Sequence, residues 1–301
     1  MLAARTSSKL LVRSAHTSTF VVPRAFSSSA TRSDPSKNVV IVGGIRLPFS
    51  LSSTIYEDQL AVDLQRLAIT GLLTQTALPK EAVDYVICGN VIQEVKTSNI
   101  AREAAINAGL PYHIGAHTVA QACISANMAI CTGANQILTG RAHVVLAGGV
   151  ETFSDVPIRL SRKLRQKLIT MPKAMKKGGM LGGARHLFKG LSLKDVTGLE
   201  TPAIANYTTG EVMGLSSDKL SARFGVTRDE QDQFTVRSHV NAQKGHDEGF
   251  YDNEVIAYKG STLENGIKGD STMESVGKLK PAFVKPHGTH TAANSSFLTG
   301  M

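Results

Sequence analysis

The residue best placed to do chemistry is Cys123, in the run Gln121-Ala122-Cys123-Ile124-Ser125-Ala126-Asn127-Met128. Thr118-Val119-Ala120 leads in as a strand, the residues at the turn are small, and a helix follows. A thiol at that junction faces backbone N–H groups without intrahelical partners and the positive end of the helix dipole. Both favour the thiolate, the reactive form. A strand, a sharp turn and a helix also bring a side chain to the edge of an α/β sheet where ligands bind. Taken alone, the position leaves two readings open, a reactive thiol or a small core residue. The other cysteines read as core: Cys88 ends an apolar strand, and Cys131 lies eight residues further along the same helix, read as facing inward. Three cysteines in 301 residues make a poor disulfide framework, and neither a CxxC pair nor a Cys/His spacing suggests a metal site.

The elements around Cys123 follow from periodicity. Asn38–Gly44 is a short β-branched run ended by glycines, read as a buried strand. Leu60, Leu64, Leu67 and Ala68 fall at helical spacing in a helix read over Tyr56–Ala77. Further strands are expected at Val83–Cys88, Ala116–Val119 and His143–Ala147, with helices at Ile100–Ala108 and Ser125–Leu138 between them. Apolar strands alternating with helices imply a parallel sheet covered on both faces, so residues 38 to about 150 form an α/β layer. Beyond it, a helix ends at Gly225, and Thr227 with Glu230 three residues later is a capping box opening another that reaches Gly245. Val255–Tyr258 and Pro281–Val284 are candidate strands, and 259–277 reads as a polar loop.

The composition is globular and its core aliphatic, since aromatics are only 5% and Trp is absent. No apolar run is long enough for a membrane span. The net charge of +9 points to an acidic partner, such as a nucleic acid, a membrane surface or a phosphorylated ligand. The charge is concentrated in two places. Residues 1–37 are Arg- and Ser-rich with Asp34 as the first acid, the composition of a mitochondrial transit peptide or of a basic tail with no address. From Arg159 to Lys194 eleven basic residues occur without one acid, interleaved with Leu160, Leu164 and Leu168 four apart. That is a basic amphipathic element suited to an anionic membrane or an acidic partner, or else a solvated helical face.

Several motifs in order resemble the thiolases. Gln121–Met128 looks like their nucleophile segment, and Gly148-Gly149-Val150-Glu151 like the glycine-rich strand end that follows. Gly210-Glu211-Val212-Met213-Gly214-Leu215 is similar to the loop-domain motif, and Asp229-Glu230-Gln231-Asp232 with Arg237-Ser238 to the helix after it. Lys280-Pro281-Ala282-Phe283 and Gly288-Thr289-His290-Thr291-Ala292-Ala293-Asn294-Ser295-Ser296 resemble the start of the second half. Val39–Gly44 and Arg46-Leu47-Pro48-Phe49 are in register too, so the likeness covers essentially all of 38–301. The length of the basic segment points to the long-chain 3-ketoacyl-CoA subgroup.

The resemblance implies a thiolase-like layered αβα fold: an N-terminal domain over 38–155, a loop domain over 156–278 with the basic insertion, and the start of a C-terminal domain over 279–301. It implies an acyltransferase that cleaves 3-ketoacyl-CoA with coenzyme A as co-substrate, with no permanently bound cofactor and no metal. Cys123 would be the nucleophile, Met213 would line the substrate pocket, and Ser296 would contact the pantetheine arm. His290 stands where the family carries a small apolar residue, and no role is assigned to it. The implied setting is the mitochondrial matrix at the inner-membrane surface, as a homodimer beside a hydratase/dehydrogenase α-subunit, with no nucleic-acid partner. The family also uses a His from a Gly-His-Pro motif, a second Cys in a Cys-x-Gly loop and an Asn from an Asn-Glu-Ala-Phe motif. None is recognised here, so the second half is expected to be largely missing. The alternative is a non-catalytic, membrane- or partner-binding thiolase-like protein.

Overall fold

The computed structural model describes residues 38–300. The expected transit segment, residues 1–37, lies outside them.

Three short strands form the central sheet: β2 (Tyr85–Gly89), β3 (Gly115–Val119) and β4 (Val145–Gly149). All are parallel in the order β3-β2-β4, with Tyr85 level with both Gly115 and Val145. Their alternating side chains face two helical layers. Val86, Cys88 and Leu146 join a core with α1 (Ala61–Thr76) and α2 (Ile100–Asn107). On α1 the buried positions Ala61, Leu64, Gln65 and Ile69 recur at helical spacing. Fully burying an aliphatic side chain such as Leu64 stabilises the fold by roughly 2 kcal/mol. Asn99 caps α2 through Arg102 N–H (3.3 Å) and donates to the carbonyl of Ala116 on β3 (3.0 Å), fixing that helix to its strand.

The opposite face is covered by α3 (Ser125–Leu138), whose buried stripe is Ser125, Ala129 and Gly133. Here glycine matters. A Cβ on Gly89 would fall on the backbone of Ser125 and Ala126, 2.7 Å from the Ser125 carbonyl, and one on Gly149 would lie 2.9 Å from the Ala126 Cβ. The bare strand ends let the first turn of α3 rest directly on the sheet.

Beyond the sheet, β5 (Arg159–Leu160) and β6 (Leu199–Glu200) pair antiparallel and bracket α4 (Arg162–Phe188) and α5 (Leu193–Thr197). The basic stretch is therefore helical, but it is broken at Gly178 and at Gly179 (φ 62°). The two arms fold together: Thr170 Oγ1 lies 2.7 Å from His186 Nε2, and a side chain on Gly183 would collide with Met175. Then come α6 (Met213–Phe224), closed by left-handed Gly225, and α7 (Arg228–Asp247), opened by the expected Thr227–Glu230 capping box. A two-residue strand, β1 (Ser50–Leu51), pairs with β7 (Thr299–Gly300).

Several expectations need correction. Val40, Ile41 and Val42 are exposed and join no ladder among the described residues, so 38–44 is not a buried strand. An apolar run becomes a strand only where a neighbouring edge accepts its hydrogen bonds. The first helix begins at Ala61 rather than Tyr56, because Tyr56 is drawn into the core: its hydroxyl donates to Pro48 O (2.7 Å) and its ring meets Tyr258 at 4.9 Å. Val255–Tyr258 makes only isolated bridges, at Val255 with Arg46 and at Tyr258 with Ser261. Pro281–Val284 is a bend rather than a strand, held by Ala282 N–H donating to His290 O (2.8 Å) and Val284 N–H donating to Asp218 Oδ2 (3.1 Å), and the loop 259–277 contains a helical turn, α8 (Met273–Gly277).

Candidate active site

Cys123 sits where β3 passes into α3, at the C-terminal edge of the parallel sheet, and is exposed. The turn is sharp because Ala122 adopts φ +48°, the left-handed region. A non-glycine residue there costs roughly 1 kcal/mol and persists only when its surroundings enforce it. Ser125 enforces it: its hydroxyl accepts from Gln121 N–H (2.8 Å) and donates to Ala122 O (2.6 Å), clamping the loop around the thiol. Ile124, the N-cap of α3, supplies no side-chain cap, so no side chain competes for the helix's first N–H groups beside the sulfur. The thiol is accessible, held by a strained turn, and next to the positive end of a helix.

The other cysteines divide. Cys88 is 1% exposed, and burial pushes its thiol up to about 12, which makes it inert, as a core residue should be. Cys131 is not a core residue. It is exposed, with its sulfur 3.6 Å from Asn127 Oδ1, because two residues along a helix from buried Ala129 is about 200° around the axis. With Thr132-Gly133 it has the Cys-x-Gly spacing, but within α3 rather than in a loop.

Glu151 follows β4 at the same sheet edge. Burial raises its carboxyl above the ordinary range, against N–H groups of Val91 (2.8 Å) and Ile92 (3.1 Å) that favour the anion. Its local sequence resembles the family motif, yet nothing in the sequence announced a half-buried carboxylate bracing the loop after β2.

Met213 is the first residue of α6 and is 61% exposed. Ser296 is exposed, its hydroxyl donating to Phe297 O at 2.9 Å. No hydrogen bond among the described residues joins Cys123, Met213 and Ser296 to one another. Each sits on a different element: the β3–α3 turn, the start of α6, and the stretch before β7. His290, without a role in the sequence, lies 2.8 Å from both Asp218 Oδ1 and Ser217 Oγ. No group of three or more His, Cys, Asp or Glu among the described residues is arranged to hold a metal.

Residues 39–300 match the family model for the thiolase N-terminal domain. The chain is 50% identical over 269 residues to the human mitochondrial trifunctional enzyme subunit beta, covering 87% of this chain and 55% of that protein. It is 36% identical over 267 residues to a 3-ketoacyl-CoA thiolase of Escherichia fergusonii, covering 87% and 60% respectively. Among solved structures it resembles an acetyl-CoA acetyltransferase of Bacillus anthracis, with TM-score 0.71 and 28% identity over 87% of this chain and 63% of that one. The chain thus spans a little over half the length of the curated relatives it matches.

Proposed function

The chain belongs to the thiolase family, and from that premise we propose that it takes the acyl group of a 3-ketoacyl-CoA onto Cys123. The observation that carries this reading is the exposed Cys123 in a strained, serine-clamped turn at the start of an uncapped helix. Its thiolate attacks the 3-keto carbon, the bond between carbons 2 and 3 breaks, and the electron pair leaves on acetyl-CoA, which takes up a proton. The acyl group stays on Cys123 as a thioester. The thiol of a second coenzyme A attacks it, releases the shortened acyl-CoA and restores Cys123. A thiolate suits both steps, being a good nucleophile and a good leaving group. In this scheme Met213 lines the acyl pocket and Ser296 meets the pantetheine arm, across domains spanning 38–155, 156–278 and 279–301.

The test is intact-protein mass spectrometry after exposure to a long-chain 3-ketoacyl-CoA. The expected product is a single adduct of the two-carbon-shortened acyl group, absent in Cys123→Ser. Exposed Cys131 is the internal control, and an adduct there instead of on Cys123 would sink the assignment.

Work in mitochondria beside another subunit is supported by the likeness to the human mitochondrial trifunctional enzyme subunit beta, and in this reading the chain pairs as a homodimer beside a hydratase/dehydrogenase α-subunit. Attachment to the inner membrane is supported by the hairpin of α4. Next to its bend Met180 and Leu181 are 83% and 82% exposed, between Lys176 and Lys177 on one arm and Arg185 on the other. Only Lys163 and Arg165 of the eleven basic residues have ion-pair partners among the described residues. Binding to cardiolipin-containing vesicles is expected to fall steeply with salt and with Lys173, Lys176 and Lys177 changed to Gln. Salt-independent binding would remove the electrostatic basis. Vesicle binding without any acyl adduct would favour the non-catalytic alternative.

A further inference from the structure

One turn past Met213, α6 presents Ser217 and Asp218 to the segment 284–294. Asp218 is a buried carboxylate, 6% exposed, and it gathers donors from that segment. Its Oδ1 accepts from the backbone N–H of Thr289 (2.8 Å) and of His290 (3.0 Å), from His290 Nδ1 (2.8 Å) and from Thr289 Oγ1 (3.3 Å). Its Oδ2 accepts from Val284 N–H (3.1 Å). With Nδ1 donating to the carboxylate, Nε2 faces the Ser217 hydroxyl as its acceptor at 2.8 Å. A second set of bonds closes the turn. Asn294 accepts from Thr291 N–H (2.7 Å) and donates to Thr289 O (2.9 Å), and Gln231 of α7 donates to Thr289 Oγ1 (2.9 Å). Ser296 follows two residues after Asn294.

The connectivity from Ser217 through His290 to Asp218 is that of a hydrolytic triad. Here, however, the carboxylate also holds three backbone N–H groups of the segment opposite, which nucleophile activation does not require and anchoring does. Burial works to raise the Asp218 carboxyl, but the His290 ring and the N–H groups of Thr289, His290 and Val284 outweigh it and bring it down to about 2. The anion is thus the form the segment binds.

We propose that Asp218, His290 and Ser217 form a polar pin that fixes the 284–294 turn to α6, setting the position of Ser296 relative to Met213. They are positioning residues for the coenzyme A moiety, and this role rests on the thiolase reading above. His290 becomes the side chain that reads α6 from the turn, where an apolar residue would leave Asp218 one hydrogen-bond donor short and Ser217 without its acceptor.

The experiment uses the full chain with His290→Val, His290→Gln and Asp218→Asn. Amide hydrogen exchange of peptides covering 284–291 reads the pin, and calorimetric titration with coenzyme A reads its consequence. His290→Val is expected to speed exchange over 284–291 by about tenfold, the scale of one charge-assisted hydrogen bond, and to leave peptides from α3 unchanged. Affinity for coenzyme A is expected to fall several-fold, and His290→Gln, which keeps a donor toward Asp218, to recover most of both. Unchanged exchange in both His290→Val and Asp218→Asn would overturn the pin. Faster exchange with unchanged affinity would overturn its positioning role. Labelling of wild-type Ser217 by a fluorophosphonate, lost in His290→Val, would make the group a hydrolytic site instead. A wild-type chain that ignores coenzyme A would count against the thiolase reading and the positioning role, while the exchange result alone decides the pin.

Discussion

Cys123 and Ser296 are held in place by different physics. Around Cys123 the neutral Ser125 clamp is itself seated by contact: Gly89 and Gly149 bring the sheet against Ala126, and Ala129 and Gly133 continue the same close approach along α3. Around Ser296 it is set by charge and hydrogen bonds. Between Val150 and Val255 the buried side chains are Thr152, Asp218, Ser221, Asp232 and Thr235, all of them polar. Close packing positions a group by repulsion, which rises steeply with displacement and ignores pH. A pin made by a carboxylate is also directional, but it exists only while the carboxylate is ionised. Cys123 is therefore placed by a part of the molecule that tolerates no added atoms, and the turn before Ser296 by a part that tolerates no added proton.

The largest expected effect breaks the first region. Gly89→Val puts a branched side chain against the backbone of Ser125 and Ala126, and the first turn of α3 has to move. Overpacking against backbone costs about 4 kcal/mol, near the upper end for a single substitution. Denaturant unfolding measures the loss. Cys123 is expected to lose its selective acylation over Cys131, because the clamp from Ser125 to Gln121 and Ala122 moves with the helix. Exchange over 284–291 is expected to stay as in the wild type. A similar disturbance in both regions would mean that they are not independently positioned.

The same contrast explains what the sequence shows. The sheet region is built from neighbours in sequence: apolar runs, glycine stops and a helix expected from about Ser125 to Leu138, where α3 lies. The candidate nucleophile follows from that local order. The capping box at Thr227 is equally local, its two partners being three residues apart. Where an outcome depends on a distant partner, local pattern fails. The run Val40–Val42 has strand composition but no edge to pair with among the described residues. Cys131 depends on the phase of α3, which is fixed only once Ala129 and Gly133 are known to face the sheet. Ala122 does not advertise a left-handed backbone as glycine would. The pin joins residues 72 apart, so His290 looks like an unexplained departure until Asp218 stands beside it. Met213 and Ser296 are candidates through resemblance alone.

The second prediction sharpens the comparison with acid. Asp218 titrates at about 2 in the folded chain against about 4 when unfolded. A lowered carboxyl contributes stability that is fully present above the unfolded value and is lost as pH falls toward the folded one. The contribution is roughly 2.5 kcal/mol, fading between about pH 4 and pH 2. Glu151 at the sheet edge runs the other way. Its carboxyl is raised, chiefly by burial, so its contribution is present in acid and is lost as pH rises through the folded value. Acid therefore weakens the turn before Ser296 while relieving the buried charge near β4. Unfolding free energy measured from pH 5 to pH 2 is expected to fall about 2 kcal/mol further in the wild type than in Asp218→Asn, whose amide has no charge to lose. Parallel curves would mean that the carboxylate does not hold the turn. An acid loss that persisted in Asp218→Asn but vanished in Glu151→Gln would place the sensitive charge at the sheet edge and reverse the assignment of the two regions.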